Sequence, residues 1–117
     1  MDEKRHTDWN AKSTAKILKE TIEEELKSHN LKPLKVILFG SRARGNNQKH
    51  SDWDILIVTK NNLPRYQKLK LVAHLRKSLL ERRIRSDIII TSLKNFRRLR
   101  SDTGSIIYYA SKEGKKL

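Results

Sequence analysis

The chain of 117 residues contains no cysteine and no long apolar segment. Without cysteine, disulfide bonds and thiolate zinc sites are excluded, which fits a reducing cellular interior. No apolar run approaches the roughly 20 residues that a membrane-crossing helix needs. The first ten residues, MDEKRHTDWN, also lack the apolar stretch of a secretory signal. A cytoplasmic location is therefore the default expectation.

Acidic residues are scarce, with 13 Asp and Glu against 27 Lys and Arg, which gives a formal net charge of +14. Such an excess attracts polyanions, whether nucleic acid, free nucleotides or an acidic protein surface. A solvated surface rich in Lys and Arg explains the same composition without any partner. Charge alone does not name the anion, so both explanations stay open.

The length suits a single domain spanning residues 1–117, and the 36% hydrophobic content allows a modest core. Within it we expect residues 1–9 to be flexible, an N-terminal helix in 10–29 and a core in 34–114. Short apolar runs predict strands at 34–40, 53–59 and 85–91, and periodicity of three to four predicts helices at 10–28, 64–83 and 105–112. The order indicates an α/β fold with a small mixed sheet of three strands, or of four, flanked by helices.

The connections between the predicted strands set their directions. Twelve residues, 41–52, join the first two strands. A connection of this length suits a turn and a short helix, after which the second strand runs antiparallel to the first. A long helix joins the second and third strands, and a crossover of this kind places them parallel. On that layout one edge of the sheet collects the polar residues Gly40, Ser41, Asp52, Asp54 and Asp87. In the crossover helix, the apolar face is assigned to Leu69, Val72, Ala73, Leu79 and Leu80.

The carboxylates at this edge predict a metal site. Asp52 and Asp54 are two apart, so their side chains share one face of a strand, where they repel unless a cation lies between them. Hard carboxylate oxygens suit Mg²⁺, and Asp87 would complete a site for two ions that supports nucleotidyl transfer. Glu81 and Asp102 are rivals for the third position, although neither lies in a predicted strand. An isolated Asp-x-Asp pair could instead cap a turn; the Gly-Ser pair that ends the preceding strand favours function.

The residues after the first strand suit a phosphate. Gly40 permits a close approach of the backbone or a left-handed conformation. Ser41 offers a hydroxyl and a backbone N–H at the expected start of a helix. Arg42 and Arg44 can reach phosphate oxygens with two donors each. These four residues are the predicted nucleotide-binding set.

The segments GSRARG and SDWDILIV resemble the signature of the minimal nucleotidyltransferases, within the DNA polymerase beta-like superfamily. The resemblance covers residues 34–114, including a late KEG. It implies a polymerase beta-like fold, with Mg²⁺ as the cofactor and a nucleoside triphosphate as the substrate. Gly40 and Ser41 would hold the triphosphate, and Asp52 and Asp54 would bind both metals. Asp87 would match the third acid, which ligates the catalytic metal and accepts the proton of the attacking hydroxyl.

The resemblance also implies a partner. Relatives of this size are often encoded beside an all-helical HEPN-domain protein, commonly a ribonuclease toxin. They act as its antitoxin, in some cases by transferring AMP from ATP to a tyrosine of the toxin. We expect the acceptor hydroxyl to come from another molecule, because too little chain follows the third strand for an acceptor domain. This predicts a protein adenylyltransferase in a hetero-oligomer with a HEPN-domain toxin.

Two other functions stay open. The chain could bind nucleotide and neutralise a partner by forming a complex, without turnover. It could instead be a basic RNA-binding accessory module, since KNFRRLR (94–100) places Phe96 among arginines. A basic solvated turn explains that segment equally well.

The four histidines show no paired ligand spacing. We therefore expect His6, His29, His50 and His74 on the surface or in turns. His50 lies just before the Asp pair and is a candidate phosphate contact.

Overall fold

The computed structural model describes the backbone of residues 3–117 and the side chains from residue 12 onward. The elements in chain order are α1 (Glu3–Ser28), β1 (Pro33–Phe39), α2 (Gly40–Arg44), β2 (Trp53–Thr59), α3 (Arg65–Glu81), β3 (Ser86–Ser92), α4 (Leu93–Leu99), α5 (Ile106–Glu113) and β4 (Lys115–Lys116). Helix α1 begins earlier than the predicted helix. Of the segment expected to be flexible, residues 1–2 lie outside the described residues, and the backbone is helical from Glu3.

The strands form one mixed sheet in the order β3-β2-β1-β4. Strand β1 runs antiparallel to β2, and β2 runs parallel to β3. The two-residue β4 adds to the free edge of β1, also antiparallel. The predicted α/β class and strand directions are therefore confirmed, with the fourth strand present.

Helices cover the sheet on both sides. On the α1/α3 face, leucine and isoleucine side chains of the two helices pack on alternate strand residues, among them Leu18, Ile22, Leu26, Leu71, Leu75, Leu79, Trp53, Ile55 and Ile57. On the α4/α5 face, the packed residues are Ile37, Phe39, Leu56, Val58, Phe96, Ile107 and Ala110. Central strand β2 is thus buried on both sides, which explains why its sequence is apolar without alternation.

The apolar face of α3 agrees only in part with the predicted one, since Leu79 and the partly buried Val72 do pack against the core. Leu71, Leu75 and Leu79 are fully buried against α1 and the sheet, whereas Leu69 and Leu80 are 60% and 54% exposed. The helix carries two overlapping apolar stripes, one through Leu71, Leu75 and Leu79 and one through Leu69 and Leu80, so periodicity alone does not show which is buried. The first stripe is buried because it is the one that faces the leucines of α1.

Polar groups mark several helix boundaries. The Ser92 hydroxyl accepts a hydrogen bond from the Asn95 N–H at 3.2 Å, and that of Ser105 accepts from Ile107 N–H at 3.1 Å. Both serines occupy the N-cap position, where a side-chain oxygen satisfies an N–H of the first turn. After α1, Asn30 adopts φ of 58° and reverses the chain toward β1.

Within residues 3–117, none of the helices combines the length and the apolar character needed to cross a membrane.

A pair of leucine substitutions tests the observed face of α3. Leu75→Ala removes a fully buried side chain and should lower the free energy of unfolding by about 2–5 kcal/mol. Leu80→Ala, on the exposed stripe, should change it by about 0.5 kcal/mol or less. Chemical denaturation of both variants measures the difference. Equal losses would contradict the observed orientation of the helix.

Candidate active site

Three strand ends meet at one edge of the sheet around Asp54. Phe39, the last residue of β1, pairs with Asp54 across the antiparallel ladder. Asp54 in turn pairs with Asp87 across the parallel ladder between β2 and β3. Because Leu56 and Val58 follow at alternate positions of β2, Asp54 lies on the α4/α5 face. The Asp54 carboxylate is therefore flanked by the turn after β1 and by the start of β3.

Gly40 makes room for this carboxylate. It has a φ of +74°, a left-handed conformation that side chains with a Cβ rarely adopt. A Cβ added to Gly40 would also overlap the Asp54 carboxylate oxygen. The glycine is thus required twice, by its own backbone angle and by the acid packed against it.

The surroundings of Asp54 disfavour its charge. Burial raises the pKa of this half-buried carboxyl most, followed by the negative charges of Asp87 and Asp52. The Arg44 guanidinium acts in the opposite direction, and lowers it. A divalent cation would relieve the repulsion among these acids, and carboxylate oxygens are the ligands that Mg²⁺ prefers. The residues present therefore fit a Mg²⁺ site.

The three acids are gathered less closely than the ligands of one shared ion would be. Asp52, Asp54 and Asp87 do not all lie within 4.8 Å of one another. The Asp52 side chain is exposed and forms a loose ion pair with Arg85, with Nε–Oδ1 at 3.5 Å. The attraction to Arg85 and the repulsion from the other carboxylates both favour this position. The role of Arg85 is one that the sequence did not predict.

Asp87 is exposed at the start of β3, directly beside Asp54 in the register. The two rival acids lie elsewhere in the fold. Glu81 ends α3, which packs on the opposite face of the sheet. Asp102 caps a turn after α4, where its carboxylate accepts a hydrogen bond from the Gly104 N–H at 2.9 Å. Of these three acids, only Asp87 lies beside Asp54.

Arg42 holds the loop that leads into the acids. Its guanidinium donates to the Ser51 carbonyl from Nη2 at 2.9 Å and from Nε at 3.2 Å, and to the Lys49 carbonyl at 3.3 Å. The same group stacks over the buried Trp53 ring, 4.6 Å from its centroid. Although a phosphate contact was predicted for Arg42, these bonds give it a positioning role immediately before Asp52.

Arg44 is the cation next to the site. It is half-exposed on α2 and forms an ion pair with Glu113 of α5, with Nη1–Oε2 at 3.2 Å. Glu113 belongs to the late KEG segment, and its pairing with Arg44 was not predicted from the sequence. This pair links α2 to α5 and keeps one positive charge near Asp54.

Helix α2 is a single short turn between Gly40 and Arg44. No side chain caps its start at Phe39, and Gly45, with φ of +79°, ends it in the left-handed conformation. Ser41 is half-buried in this turn, with its carbonyl accepting from the N–H groups of Gly45 and Asn46. Gly40, which is next to Asp54, and Ser41 begin this turn, and the first N–H groups of a helical turn are suited to binding phosphate oxygens.

The histidines lie in different parts of the fold. His50 is exposed in the loop before Asp52, and the side chain of His6 lies outside the described residues. His29 is half-buried after the end of α1, and His74 is exposed on α3. The last two approach the same carboxylate, which their separation along the chain did not predict.

The family model described as polymerase beta, nucleotidyltransferase, matches residues 20–113. This chain belongs to that family. The match spans the turn after β1, the acids of β2 and β3, and Glu113. It confirms the resemblance that the GSRARG and SDWDILIV segments indicate, and the chain is a nucleotidyltransferase by family. No curated protein matches it.

This nucleotidyltransferase chain is similar to several solved structures. One is a toxin–antitoxin crystallised with AMP-PNP, with 24% identity and a TM-score of 0.56, covering 83% of this chain and 69% of that chain. A mutant of the toxin–antitoxin MntA–HpeT has 25% identity and a TM-score of 0.56, with coverage of 85% and 70%. A protein of Sulfolobus solfataricus assigned as a nucleotidyltransferase has 26% identity and a TM-score of 0.55, with coverage of 90% and 82%.

The basic segment at 94–100 does not offer an aromatic platform for RNA. Phe96 is buried among the core residues of the α4/α5 face, while Arg97, Arg98 and Arg100 are on the surface side of the segment. Base stacking requires an accessible ring. The mixture of Phe and Arg therefore reflects an amphipathic helix, where the sequence suggested either an RNA contact or a basic solvated turn.

The contact between Gly40 and Asp54 predicts unequal effects of two similar substitutions. Gly40 and Gly45 both have left-handed φ, so alanine at either should cost about 1–3 kcal/mol in backbone strain. Only at Gly40 would the new Cβ also meet the Asp54 carboxylate; at Gly45 nothing lies within 4 Å. Gly40→Ala should therefore lower the free energy of unfolding more than Gly45→Ala does, and should also weaken Mg²⁺ binding. Equal effects on both properties would contradict the close packing.

The raised pKa of Asp54 predicts how stability depends on pH. Because the folded-state pKa exceeds the ordinary value of 3.8, the folded protein binds this proton more tightly than the unfolded chain does. The free energy of unfolding therefore falls as pH rises from 3.8 through the raised pKa. Asp54→Asn removes this loss, so without metal it should melt at a higher temperature than the wild type at neutral pH, and the gain should disappear in acid.

Thermal unfolding in the presence of EDTA, from about pH 3 to pH 8, measures this gain. Glu23→Gln, an exposed change on α1, is the control for removing one negative charge from a basic protein. A melting temperature of Asp54→Asn at or below that of the wild type at neutral pH would contradict the repulsion.

Proposed function

We propose that this chain is a Mg²⁺-dependent nucleotidyltransferase that transfers AMP from ATP to a hydroxyl group of a partner protein. The observation that carries the proposal is the position of Asp54, packed against Gly40 on one side and paired with Asp87 on the other. Acids so close to a turn that can hold phosphate serve a reaction in which a triphosphate and a divalent ion are bound together.

Asp54 and Asp87 would hold the metal ions, with Asp52 as the third ligand. Asp52 must first leave Arg85, but this pair is largely exposed and separated by 3.5 Å. Exposed ion pairs contribute only about 0–1 kcal/mol, so the change of partner costs little. When bound, Mg²⁺ supplies positive charge that offsets the negative charge of the triphosphate.

The remaining parts of the reaction follow from the position of each residue. Gly40 and Ser41 would bind the triphosphate through the backbone N–H groups of α2, with Arg44 close enough to add a positive charge. The acceptor oxygen forms a bond to the α-phosphorus as the bond from that phosphorus to the bridging oxygen breaks, and pyrophosphate leaves. The exposed Asp87 carboxylate would accept the proton of the acceptor hydroxyl.

We further propose that the partner is a HEPN-domain toxin and that the chain is its antitoxin, in the cytoplasm. Two of the similar solved structures are toxin–antitoxin structures, one of them with the ATP analogue AMP-PNP, which supports a toxin as the partner and ATP as the nucleotide. The net charge of +14 suits an acidic partner surface as well as the nucleotide.

Labelling tests the reaction. The protein, Mg²⁺ and the co-encoded partner are mixed with ATP carrying radioactive phosphorus at the α-position, and transfer to the partner is followed on a gel. We expect transfer by the wild type and a loss of about a hundred-fold or more in Asp54→Asn and Asp87→Asn, since a metal-bound acid contributes several kcal/mol. Glu81→Gln and Asp102→Asn, the two rival acids, should retain transfer.

Three outcomes would contradict parts of this proposal. No transfer with any nucleoside triphosphate, together with partner inhibition by the complex, would indicate a non-catalytic nucleotide-binding antitoxin. Full transfer by Asp87→Asn together with loss of transfer in Asp102→Asn would show that Asp102, and not Asp87, is the third acid. Binding of RNA that falls steeply with salt and is unaffected by Asp54→Asn would indicate an RNA-binding module.

A further inference from the structure

A second group of metal-ligand side chains lies between α1 and α3. Glu25 is in the last turn of α1, His29 follows the end of that helix, and His74 is in the middle of α3. The Glu25 Oε1 atom lies 3.3 Å from His74 Nδ1 and 3.5 Å from His29 Nε2. One ligand atom from each residue lies within 4.8 Å of the other two, the only such set of three in the described side chains. These three residues are called the Glu25–His29–His74 cluster.

The distances in the cluster match the edges of a zinc coordination polyhedron. Ligand atoms lie about 2.0–2.2 Å from zinc, so two ligands of a tetrahedral site are about 3.3 Å apart. Two of the three edges already have this length. The third edge, between one nitrogen of each imidazole, is shorter than 4.8 Å, and the ring centroids are 6.1 Å apart with a tilt of 43°.

The same distances are long for direct hydrogen bonds. A charge-assisted bond between an imidazole and a carboxylate is about 2.7–2.9 Å long. At 3.3 and 3.5 Å, Glu25 is near both imidazoles without bonding tightly to either. An ion between the three groups would bond to all of them at once.

We propose that the Glu25–His29–His74 cluster binds one Zn²⁺ ion. Two imidazoles and one carboxylate are a common set of zinc ligands and leave a fourth position for water or for a ligand from a partner. The partial burial of Glu25 and His29, at 22% and 18% exposure, limits competition from solvent. Imidazole nitrogens select zinc over Mg²⁺, which takes oxygen ligands.

This zinc site is separate from the acids at the sheet edge. The cluster joins two helices that cover the α1/α3 face, whereas Asp54 lies on the opposite, α4/α5 face of the sheet. The ion would connect the end of α1 to α3, outside the leucine contacts that already join the two helices. Its expected effect is therefore to stabilise the position of α1, independently of nucleotidyl transfer.

Calorimetric titration of the full chain, without a polyhistidine tag, with ZnCl₂ tests the site. We expect one ion per chain with a dissociation constant in the micromolar range or tighter, unaffected by excess Mg²⁺. Glu25→Gln and His74→Ala should each weaken binding by about tenfold or more. The matched controls, Glu24→Gln and His50→Ala, remove the same groups at exposed positions and should bind like the wild type.

Two further measurements distinguish zinc binding at the cluster from misfolding of a variant and from zinc binding at the acids of the candidate active site. The thermal midpoint of the wild type should rise with zinc and saturate at one ion, while Glu25→Gln, checked for folding by circular dichroism, should need about tenfold more zinc or more for the same rise. Asp54→Asn should keep the zinc affinity. The proposal is overturned if no stoichiometric zinc binding is found, if Glu25→Gln and His74→Ala bind like the wild type, or if Asp54→Asn removes the binding.

Discussion

The contact of the Asp54 carboxylate with Gly40 is the interaction on which the candidate active site depends. The acid is held there by its place on β2, the central strand, which is buried between two helical layers. Its pKa is raised because burial and two neighbouring acids oppose the charge. Such an unfavourable position persists only when the surrounding packing imposes it. The core of this small domain thus stabilises a charge arrangement that is itself unfavourable and that suits a divalent ion.

Arginine has three different roles around these acids. Arg42 holds the preceding loop through backbone carbonyls, Arg85 pairs with Asp52, and Arg44 pairs with Glu113 while it lowers the pKa of Asp54. In a chain of net charge +14, part of the excess charge is therefore structural, committed to loops and acids within the fold. The exposed Arg97, Arg98 and Arg100 contribute to the remaining positive charge, which is accessible for binding a polyanion.

The two faces of the sheet carry different chemistry. Oxygen ligands collect at the edge on the α4/α5 face, where a hard ion and a triphosphate would bind, and the imidazoles lie between α1 and α3 on the other. The separation follows from strand alternation: Trp53 and Ile55 point to α1 and α3, so Asp54 points away from them. The proposed zinc site and the candidate Mg²⁺ site would therefore share no ligands.

Local patterns were sufficient for the order of elements, the strand directions and the convergence of Gly40, Asp54 and Asp87, because short connections leave few ways to join these strands. Spacing along the chain did not reveal which stripe of α3 is buried, the partners of Arg42 and Arg85, or the meeting of His74 with Glu25 and His29. The buried stripe of α3 and the approach of His74 to Glu25 depend on how α1 packs on α3, and the Arg85–Asp52 pair joins residues that are far apart in sequence. The bonds of Arg42 to Lys49 and Ser51 are nearer in sequence, but they depend on the path of a loop that has no periodic pattern. Contacts of these kinds are set by the arrangement of the whole fold, which no single segment encodes.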